Sequence, residues 1–165
     1  MSTKQEWIQR LLQETEKLHA RHKLSKTVTA DYFEPGRMEY LSQSDGTYDP
    51  DSGVILLRFE AKGTRYEGRT EQIEKVRPGD PLQVVRENTN RFNPNNFTLL
   101  TAKGKNVGNM PAELCNAIAP LYDCGTLRIA NAQVSFVEPI SKRSRHAKQA
   151  ILFAECSIEL LDAED

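Results

Sequence analysis

The sequence predicts an α+β fold that is mainly β, or a small closed barrel. From residue 54 onward, short runs of β-branched and aromatic residues alternate with turn residues, which gives about six strands in about 110 residues. A single helical pattern is inserted among these strands, so helices and strands do not alternate as they do in a doubly wound sheet. An amphipathic helix precedes the strands.

The N-terminal helix is predicted over residues 4–23. Trp7, Leu11 and Leu18 recur at helical spacing and form one apolar face. Thr3 and Glu6 have the spacing of a capping box at its start. The apolar face either packs on the protein's own core or binds a partner protein or a second copy of the chain.

The next segment, residues 26–53, is predicted to be a linker or an extended arm. Proline, glycine and aspartate punctuate it, and apolar periodicity is nearly absent. Aromatic residues such as Tyr48 leave room for a short strand along the domain surface. The chain is therefore divided into a helical segment at 1–25, this arm at 26–53, a folded domain at 54–161 and an acidic tail at 162–165.

The strands of the folded domain follow in order after Val54. The residue pattern predicts strands at 54–59, 82–85, 97–100 and around 107, with turns at 77–80 and 103–106. A helix then begins at Pro111 and ends before Gly125, a residue that suits the position after a helix C-terminus. Two longer strands, about 126–137 and about 149–160, complete the domain.

Composition limits the function. The chain has 22 basic and 23 acidic residues and a net charge of −1, which argues against a protein that coats long nucleic acid but leaves room for a local site. Residues 51–110 hold ten basic against seven acidic residues. No run of about 18 apolar residues is present, so we expect no membrane contact. The first residues lack an export signal, which predicts a cytoplasmic protein.

Cys115, Cys124 and Cys156 are too few and too widely spaced for a disulfide framework. No Cys-x-x-Cys pair accompanies the three histidines, so a zinc site is not expected. The sequence predicts buried free thiols, no metal and no cofactor.

A first candidate binding segment spans residues 63–69. Arg65 and Arg69 can clamp a phosphate by paired hydrogen bonds, and Tyr66 offers a stacking face to an unpaired base. The alternative is an ordinary surface turn with a salt bridge to Glu67 or Glu71.

A second candidate segment is the polar loop 86–96. It places Phe92 beside Arg91 and among asparagines that include Asn90 and Asn93. Asparagine side chains also bond to their own backbone, so turn chemistry alone is the alternative explanation.

A longer series of residues has the order and spacing of a known family. The series comprises Gly63-Thr64-Arg65-Tyr66, Arg77-Pro78-Gly79-Asp80, Val85-Arg86-Glu87, Asn90, Phe92, Pro94, Asn95, Val107-Gly108, Pro111-Ala112-Glu113-Leu114, Ala119-Pro120-Leu121, Asp123 and Gly125. With these residues the chain from about 54 to about 160 resembles a HIRAN domain. That module occurs at the N-terminus of fork-remodelling helicases of the SWI/SNF type and as small stand-alone bacterial proteins.

The resemblance implies an OB-like six-stranded β-barrel that binds single-stranded DNA and, in the helicase members, captures its 3′ end in a pocket. It implies a link to DNA repair or stalled-fork processing. By position, Arg65 and Tyr66 contact the terminal nucleotides, Phe92 stacks in place of a tyrosine, and Asn90 helps to hold the bases.

Three positions depart from the helicase members. Asn93 stands where they have an aspartate that senses the 3′-hydroxyl, Asn109 where they have a phosphate-contacting histidine, and Ala112 where they have a lysine. The loss of these charges predicts weaker and less end-selective binding. The residues that could compensate are Arg91, Lys103, Lys105 and the basic loop 142–148.

No catalytic set stands out in the sequence. The phosphate-binding loop of ATPases is absent, and no serine or cysteine lies in a nucleophile motif. Glu67, Glu71, Glu74 and Asp80 could bind Mg²⁺, although the three glutamates fit a solvated helix face better. The sequence thus predicts a non-enzymatic module that binds single-stranded DNA or a 3′ DNA end. A protein-interaction domain with a decayed DNA site is the alternative, and a metal-dependent nuclease is the third interpretation.

Overall fold

The computed structural model of the chain describes residues 3–22, 45–66, 68–142 and 149–161. Most of the predicted arm, residue 67, residues 143–148 of the basic loop and the acidic tail lie outside this description. The elements in chain order are α1 (Thr3–His22), β1 (Asp45–Asp49), β2 (Val54–Glu60), α2 (Arg69–Ile73), β3 (Leu82–Glu87), β4 (Asn96–Thr101), β5 (Asn106–Asn109), α3 (Ala112–Asp123), β6 (Leu127–Glu138), a 3₁₀ turn (Ile140–Lys142) and β7 (Ile151–Leu160). The predicted mainly β α+β class is confirmed.

The strands form two antiparallel sheets, one with the order β1-β2-β7-β6 and one with the order β3-β4-β5. In β7, buried and half-buried residues alternate along the whole strand, since successive side chains of a strand point to opposite faces. The inward side chains of both sheets join one apolar core with α1 and α3.

Two isolated bridges, between Lys62 and Asn109 and between Pro81 and Gln133, link the two sheets. Near the second bridge β6 carries a bulge, with Asn131 at a φ of 54°, a conformation that asparagine tolerates better than most residues. The described residues thus form seven strands in two sheets that single bridges connect, so the sheets are not closed and the six-stranded barrel implied by the resemblance is not confirmed.

The additional strand is β1, which lies within the segment predicted as a linker or arm. It pairs with β2 from Asp45 opposite Arg58 to Asp49 opposite Val54. Tyr48 is its one buried residue. With a single core-facing side chain in five residues, the strand has no apolar alternation by which the sequence could reveal it.

The apolar face of α1 packs on the protein's own fold, against β1 and α3. Trp7, Leu11 and Leu18 are buried, and Arg10 Nη1 donates a hydrogen bond to Tyr48 Oη at 3.1 Å. The face through which the alternative interpretation docked a partner is therefore covered within the chain. Among the described residues, no helix combines the length and the apolar character that crossing a membrane needs.

Two of the three cysteines are buried thiols, as predicted. Burial raises the pKa of Cys115 and of Cys156 to about 12. Cys124 differs from the prediction because it lies exposed at the C-terminal end of α3. Gly125 follows with a φ of 79°, the left-handed conformation expected after a helix C-terminus.

Candidate functional site

A cleft of about 680 Å³ opens between the segment after β2, the loop after β3, and β5. The residues that line it are Gly63, Tyr66, Arg69, Glu87, Asn90, Arg91, Phe92, Asn106 and Asn109. Six of the eight residues singled out in the sequence are thus brought together, while Arg65 and Asn93 lie outside the lining.

One wall of the cleft depends on the bridge between Lys62 and Asn109. The backbone N–H of each residue donates to the carbonyl of the other, both at 2.8 Å. The neighbouring Gly108 has a φ of 129°, and a Cβ atom there would lie 2.8 Å from the Lys62 carbonyl oxygen. Only glycine permits this approach, which sets Asn109 beside the segment that carries Tyr66.

Thr64 anchors that segment to the rest of the fold. Its side chain is buried, and its Oγ1 donates to the Ala150 carbonyl at 3.2 Å. Thr70 Oγ1 donates to the Thr64 carbonyl at 2.9 Å and accepts from the Ala150 N–H at 3.3 Å. Tyr66, two residues after Thr64, therefore projects from a fixed turn.

Tyr66 and Arg65 form a pair at the mouth of the cleft. Tyr66 is 51% exposed. Arg65 Nη2 donates to Tyr66 Oη at 2.7 Å, and its guanidinium carbon lies 4.9 Å from the ring centroid. Arg65 thus lies over one face of the ring, which leaves the other face for a planar ligand. Arg69 supports the same turn by donating from Nη1 to the Gly63 carbonyl at 3.1 Å.

The opposite wall is a loop shaped by its own asparagines. Asn90 Oδ1 accepts hydrogen bonds from the backbone N–H groups of Phe92 and Asn93, both at 2.9 Å. Asn93 Oδ1 accepts from the Asn95 N–H at 3.0 Å. These bonds between asparagine side chains and nearby backbone groups are the turn chemistry that the sequence analysis gave as the alternative to a binding role. They also occupy the side-chain oxygen of Asn93 within the loop.

The consequence of this turn chemistry is the presentation of Phe92. Its side chain is 84% exposed, the largest exposure among the large apolar residues of the described part of the chain. The guanidinium carbon of Arg91 lies 4.9 Å from the Phe92 ring centroid. An aromatic side chain displayed to water at the edge of a cleft is typical of a contact surface.

Glu87 is a cleft residue to which the sequence analysis gave no role. Its carboxylate accepts hydrogen bonds from Asn90 Nδ2 at 2.6 Å, Thr98 Oγ1 at 2.9 Å and Asn96 Nδ2 at 3.3 Å. The bond from Asn90 is the main cause that lowers the pKa of Glu87 below its ordinary value. Its place in the Val85-Arg86-Glu87 motif was the signal available in the sequence.

The Glu87 network also orients Asn109. Asn96 Nδ2 donates to Asn109 Oδ1 at 3.1 Å. Because that oxygen accepts a bond, the Nδ2 group of Asn109 remains as its donor, and it lies beside Gly63. An amide donor at this position can bind a phosphate oxygen, although without the charge of a histidinium.

Arg86 holds the loop between β3 and β4, residues 88–95, against α3. Its Nε and Nη2 atoms bond the two carboxylate oxygens of Asp123, each at 3.0 Å, and its Nη1 donates to the Pro94 carbonyl at 2.7 Å. This bidentate contact fixes the end of the loop that presents Phe92.

Of the four carboxylates considered as Mg²⁺ ligands, Glu67 lies outside the described residues, and the other three are not gathered into a metal-binding group. Glu74 Oε1 accepts the Ile140 N–H at 3.1 Å, and Asp80 Oδ2 accepts the Arg77 N–H at 2.9 Å. Within the described ranges, no group of three or more histidine, cysteine, aspartate or glutamate residues could hold a metal ion. The nuclease interpretation therefore has no support from the described geometry.

The cations that could compensate for the charges lost at positions 93, 109 and 112 do not all lie in the first cleft. Arg91 lines the cleft, whereas Lys103 and Lys105 line a second one nearby. Ala112, at the start of α3, is exposed and does not reach the first cleft.

Fold and cleft together define a mainly β binding module whose site combines exposed aromatic rings with arginines. The family model described as HIRAN domain matches residues 54–151, more than half of the chain. The chain belongs to the HIRAN domain family, whose members are DNA-binding modules.

Two solved structures are similar to the chain. A protein from Lactobacillus plantarum shares 18% identity with a TM-score of 0.51, and the match covers 64% of this chain and 96% of that one. The HIRAN domain of human HLTF shares 20% identity with a TM-score of 0.46, covering 65% and 81%. No curated protein matches the chain. At 18% identity, the likeness to the first structure is one of fold.

Proposed function

We propose that the cleft captures single-stranded DNA, at a 3′ end, without catalysing a reaction on it. The observation that supports this most directly is that Tyr66 and Phe92, 51% and 84% exposed, border one cleft together with Arg69 and Arg91. Stacking of an unpaired base on an aromatic ring contributes roughly 1–3 kcal/mol, and arginines attract the phosphates.

The charges of the cleft favour a short captured segment. Glu87 places a carboxylate among the lining residues, and Asn109 is neutral. The chain as a whole has a net charge of −1. Weak phosphate attraction suits the capture of one strand end, whereas a groove that follows long DNA needs many cations. By the resemblance alone, we extend the proposal to DNA repair or stalled-fork processing in the bacterial cytoplasm.

The first test is fluorescence anisotropy with a labelled oligonucleotide of about 12 nucleotides at low ionic strength. Phe92→Ala should weaken binding about tenfold, since about 1.4 kcal/mol of stacking is lost. Phe136→Ala is the matched control, because Phe136 is 41% exposed on β6 and does not line the cleft. No salt-sensitive binding, or equal affinity of the Phe92 variant and the parent protein, would refute the proposal.

End capture is tested separately with a circular strand of the same sequence. A linear strand with a free 3′-hydroxyl should bind several-fold tighter than the circle, and a 3′-phosphate should reduce the preference because Glu87 repels a second anion. Equal affinity for the linear and the circular strand would show that the protein binds single strands without recognising their ends.

A further inference from the structure

A second cleft, of about 360 Å³, lies next to the first and shares two elements with it. Arg69 of α2 lines the first cleft and Gln72 of α2 lines the second. At the β4–β5 hairpin, Lys105 lines the second cleft and the next residue, Asn106, lines the first. Because Lys105 and Asn106 are consecutive residues, with Cα atoms about 3.8 Å apart, the linings of the two clefts come within one residue of each other at this hairpin.

The second cleft is basic. Three exposed lysines, Lys75, Lys103 and Lys105, line it together with one carboxylate, Asp80. Asp80 is engaged in its own turn, where its Oδ2 accepts the Arg77 N–H at 2.9 Å. We name the lining around these three lysines the lysine cleft.

The lysines of this cleft differ from many other cations of the protein. Lys17, Lys62, Arg58, Arg86 and Arg128 each pair with a carboxylate. Within the part of the chain that the structure describes, the ammonium groups of the lysine cleft form no ion pair and no side-chain hydrogen bond. Like charges gathered without counterions create a positive potential that attracts an anion.

Access to the lysine cleft is open at the hairpin turn. Gly104, between Lys103 and Lys105, has a φ of 78°, and no atom lies within 4 Å of the position a Cβ would take. A polymer that passes along the hairpin thus meets no side chain at the turn between the two lysines.

We propose that the lysine cleft binds the sugar-phosphate backbone of the same DNA strand whose end occupies the first cleft. This inference rests on the proposed function. In this arrangement the strand leaves the first cleft beside Asn106 and crosses Lys105. Its phosphates then lie near Lys75 and Lys103. Lysine binds phosphate as a point charge and reads no base, so this second contact adds affinity without sequence preference.

The test compares two oligonucleotides that share one 3′ end, of about 4 and about 12 nucleotides, with the full-length protein. The variant Lys75→Gln/Lys103→Gln/Lys105→Gln should bind the longer strand at least tenfold more weakly at low salt. The slope of log affinity against log salt concentration should fall by about 2, since each lost phosphate contact on a single strand removes about 0.7. Affinity for the shorter strand should change less than twofold.

A charge-matched control removes three cations elsewhere, with Lys4→Gln/Lys17→Gln/Arg128→Gln, none of which lines either cleft. It changes the net charge equally and should leave the slope for the longer strand near that of the parent protein. Thermal melts establish that both triple variants are folded. Equal losses in the two triple variants, or equal losses on short and long strands, would overturn the backbone path. Retained strand binding with lost binding of an acidic peptide would instead make the lysine cleft a protein-contact site.

The failure of this inference is distinguishable from the failure of end capture. Phe92→Ala should weaken binding of both the short and the long strand. If Phe92→Ala has no effect on either strand, the proposed function fails, whatever the lysine variant does. If Phe92→Ala weakens both strands and the lysine triple variant matches its control, only the lysine cleft proposal fails.

Discussion

The carboxylate of Glu87 shows how a single charged side chain can connect the walls of a cleft through its hydrogen bonds. It accepts bonds from Asn90, Asn96 and Thr98, and through Asn96 it orients Asn109. Three donors to one charged acceptor make the loop wall and the β5 wall depend on each other.

Glu87→Gln tests this dependence through pH. The pKa of Glu87 in the folded protein lies below its ordinary value of 4.5, so the ionised carboxylate stabilises the fold above that pH. This stabilisation is lost as the pH falls through the folded-state pKa. The variant should be less stable by about 1–2 kcal/mol near neutral pH, and its stability should change less between about pH 5 and pH 3. Urea unfolding across this range measures both effects, and parallel pH profiles would exclude the role.

Gly108 is a second residue on which the cleft depends, because a Cβ atom there would meet the Lys62 carbonyl at 2.8 Å. Gly108→Ala should destabilise the protein by roughly 1–3 kcal/mol and weaken strand binding through displacement of Asn109. Gly104→Ala is the control, since Gly104 also has a positive φ but nothing within 4 Å of the added atom. Denaturant unfolding and anisotropy measure the pair. Equal behaviour of the two variants would show that backbone strain alone matters.

Among the elements, we expect α1 to contribute stability and not ligand contacts. Trp7 is fully buried in the core, and no α1 residue lines either of the two clefts near β5. Trp7→Ala should cost about 3–5 kcal/mol of unfolding free energy. At a temperature where the variant is folded, its affinity for the oligonucleotide should equal that of the parent protein. A large loss of affinity in the folded variant would connect α1 to the site.

The sequence predicted the elements with strong periodicity and missed those without it. Helix α1 was predicted over 4–23 and observed at Thr3–His22, because three apolar side chains repeat at helical spacing. Helix α2 has only five residues, of which Ile73 is the buried one, so it leaves no apolar periodicity, and only the spacing of Glu67, Glu71 and Glu74 indicated a helix there. For the same reason the sequence analysis assigned β1, in which Tyr48 is the one buried residue, to the predicted arm.

The site residues were reached by a different route. Composition and local pattern marked arginine and aromatic residues, and the family resemblance supplied their roles. The sequence analysis assigned no role to Glu87, because its role depends on hydrogen bonds with Asn96 and Thr98, which belong to the neighbouring strand. Such cross-strand partners depend on register, which the order of residues along a single strand does not reveal.

At the scale of the whole molecule, the two sheets divide structural and binding tasks. The β3-β4-β5 sheet supplies Glu87, Asn106 and Asn109 to the first cleft, which Tyr66 and Phe92 border. The β1-β2-β7-β6 sheet carries the contact with α1 and positions the 63–66 segment through Ala150, directly before β7. The excess of basic residues falls within 51–110, a range that covers β3, β4 and β5 and also β2 of the other sheet. Five of the ten basic residues in this range, Arg69, Lys75, Arg91, Lys103 and Lys105, line the two clefts of a chain that is nearly neutral as a whole.

The pairing of β2 with β7 has a consequence for the time course of folding. Ile55 and Ile158 are register partners although they are roughly 100 residues apart, whereas β3, β4 and β5 are joined by short connections. Contacts that close long loops form slowly, so the meander that supplies one wall of the cleft can fold first. Its opposite wall, which is anchored through Thr64 to the residue before β7, becomes ordered only when the distant strands meet. We therefore expect the complete cleft to form late in folding.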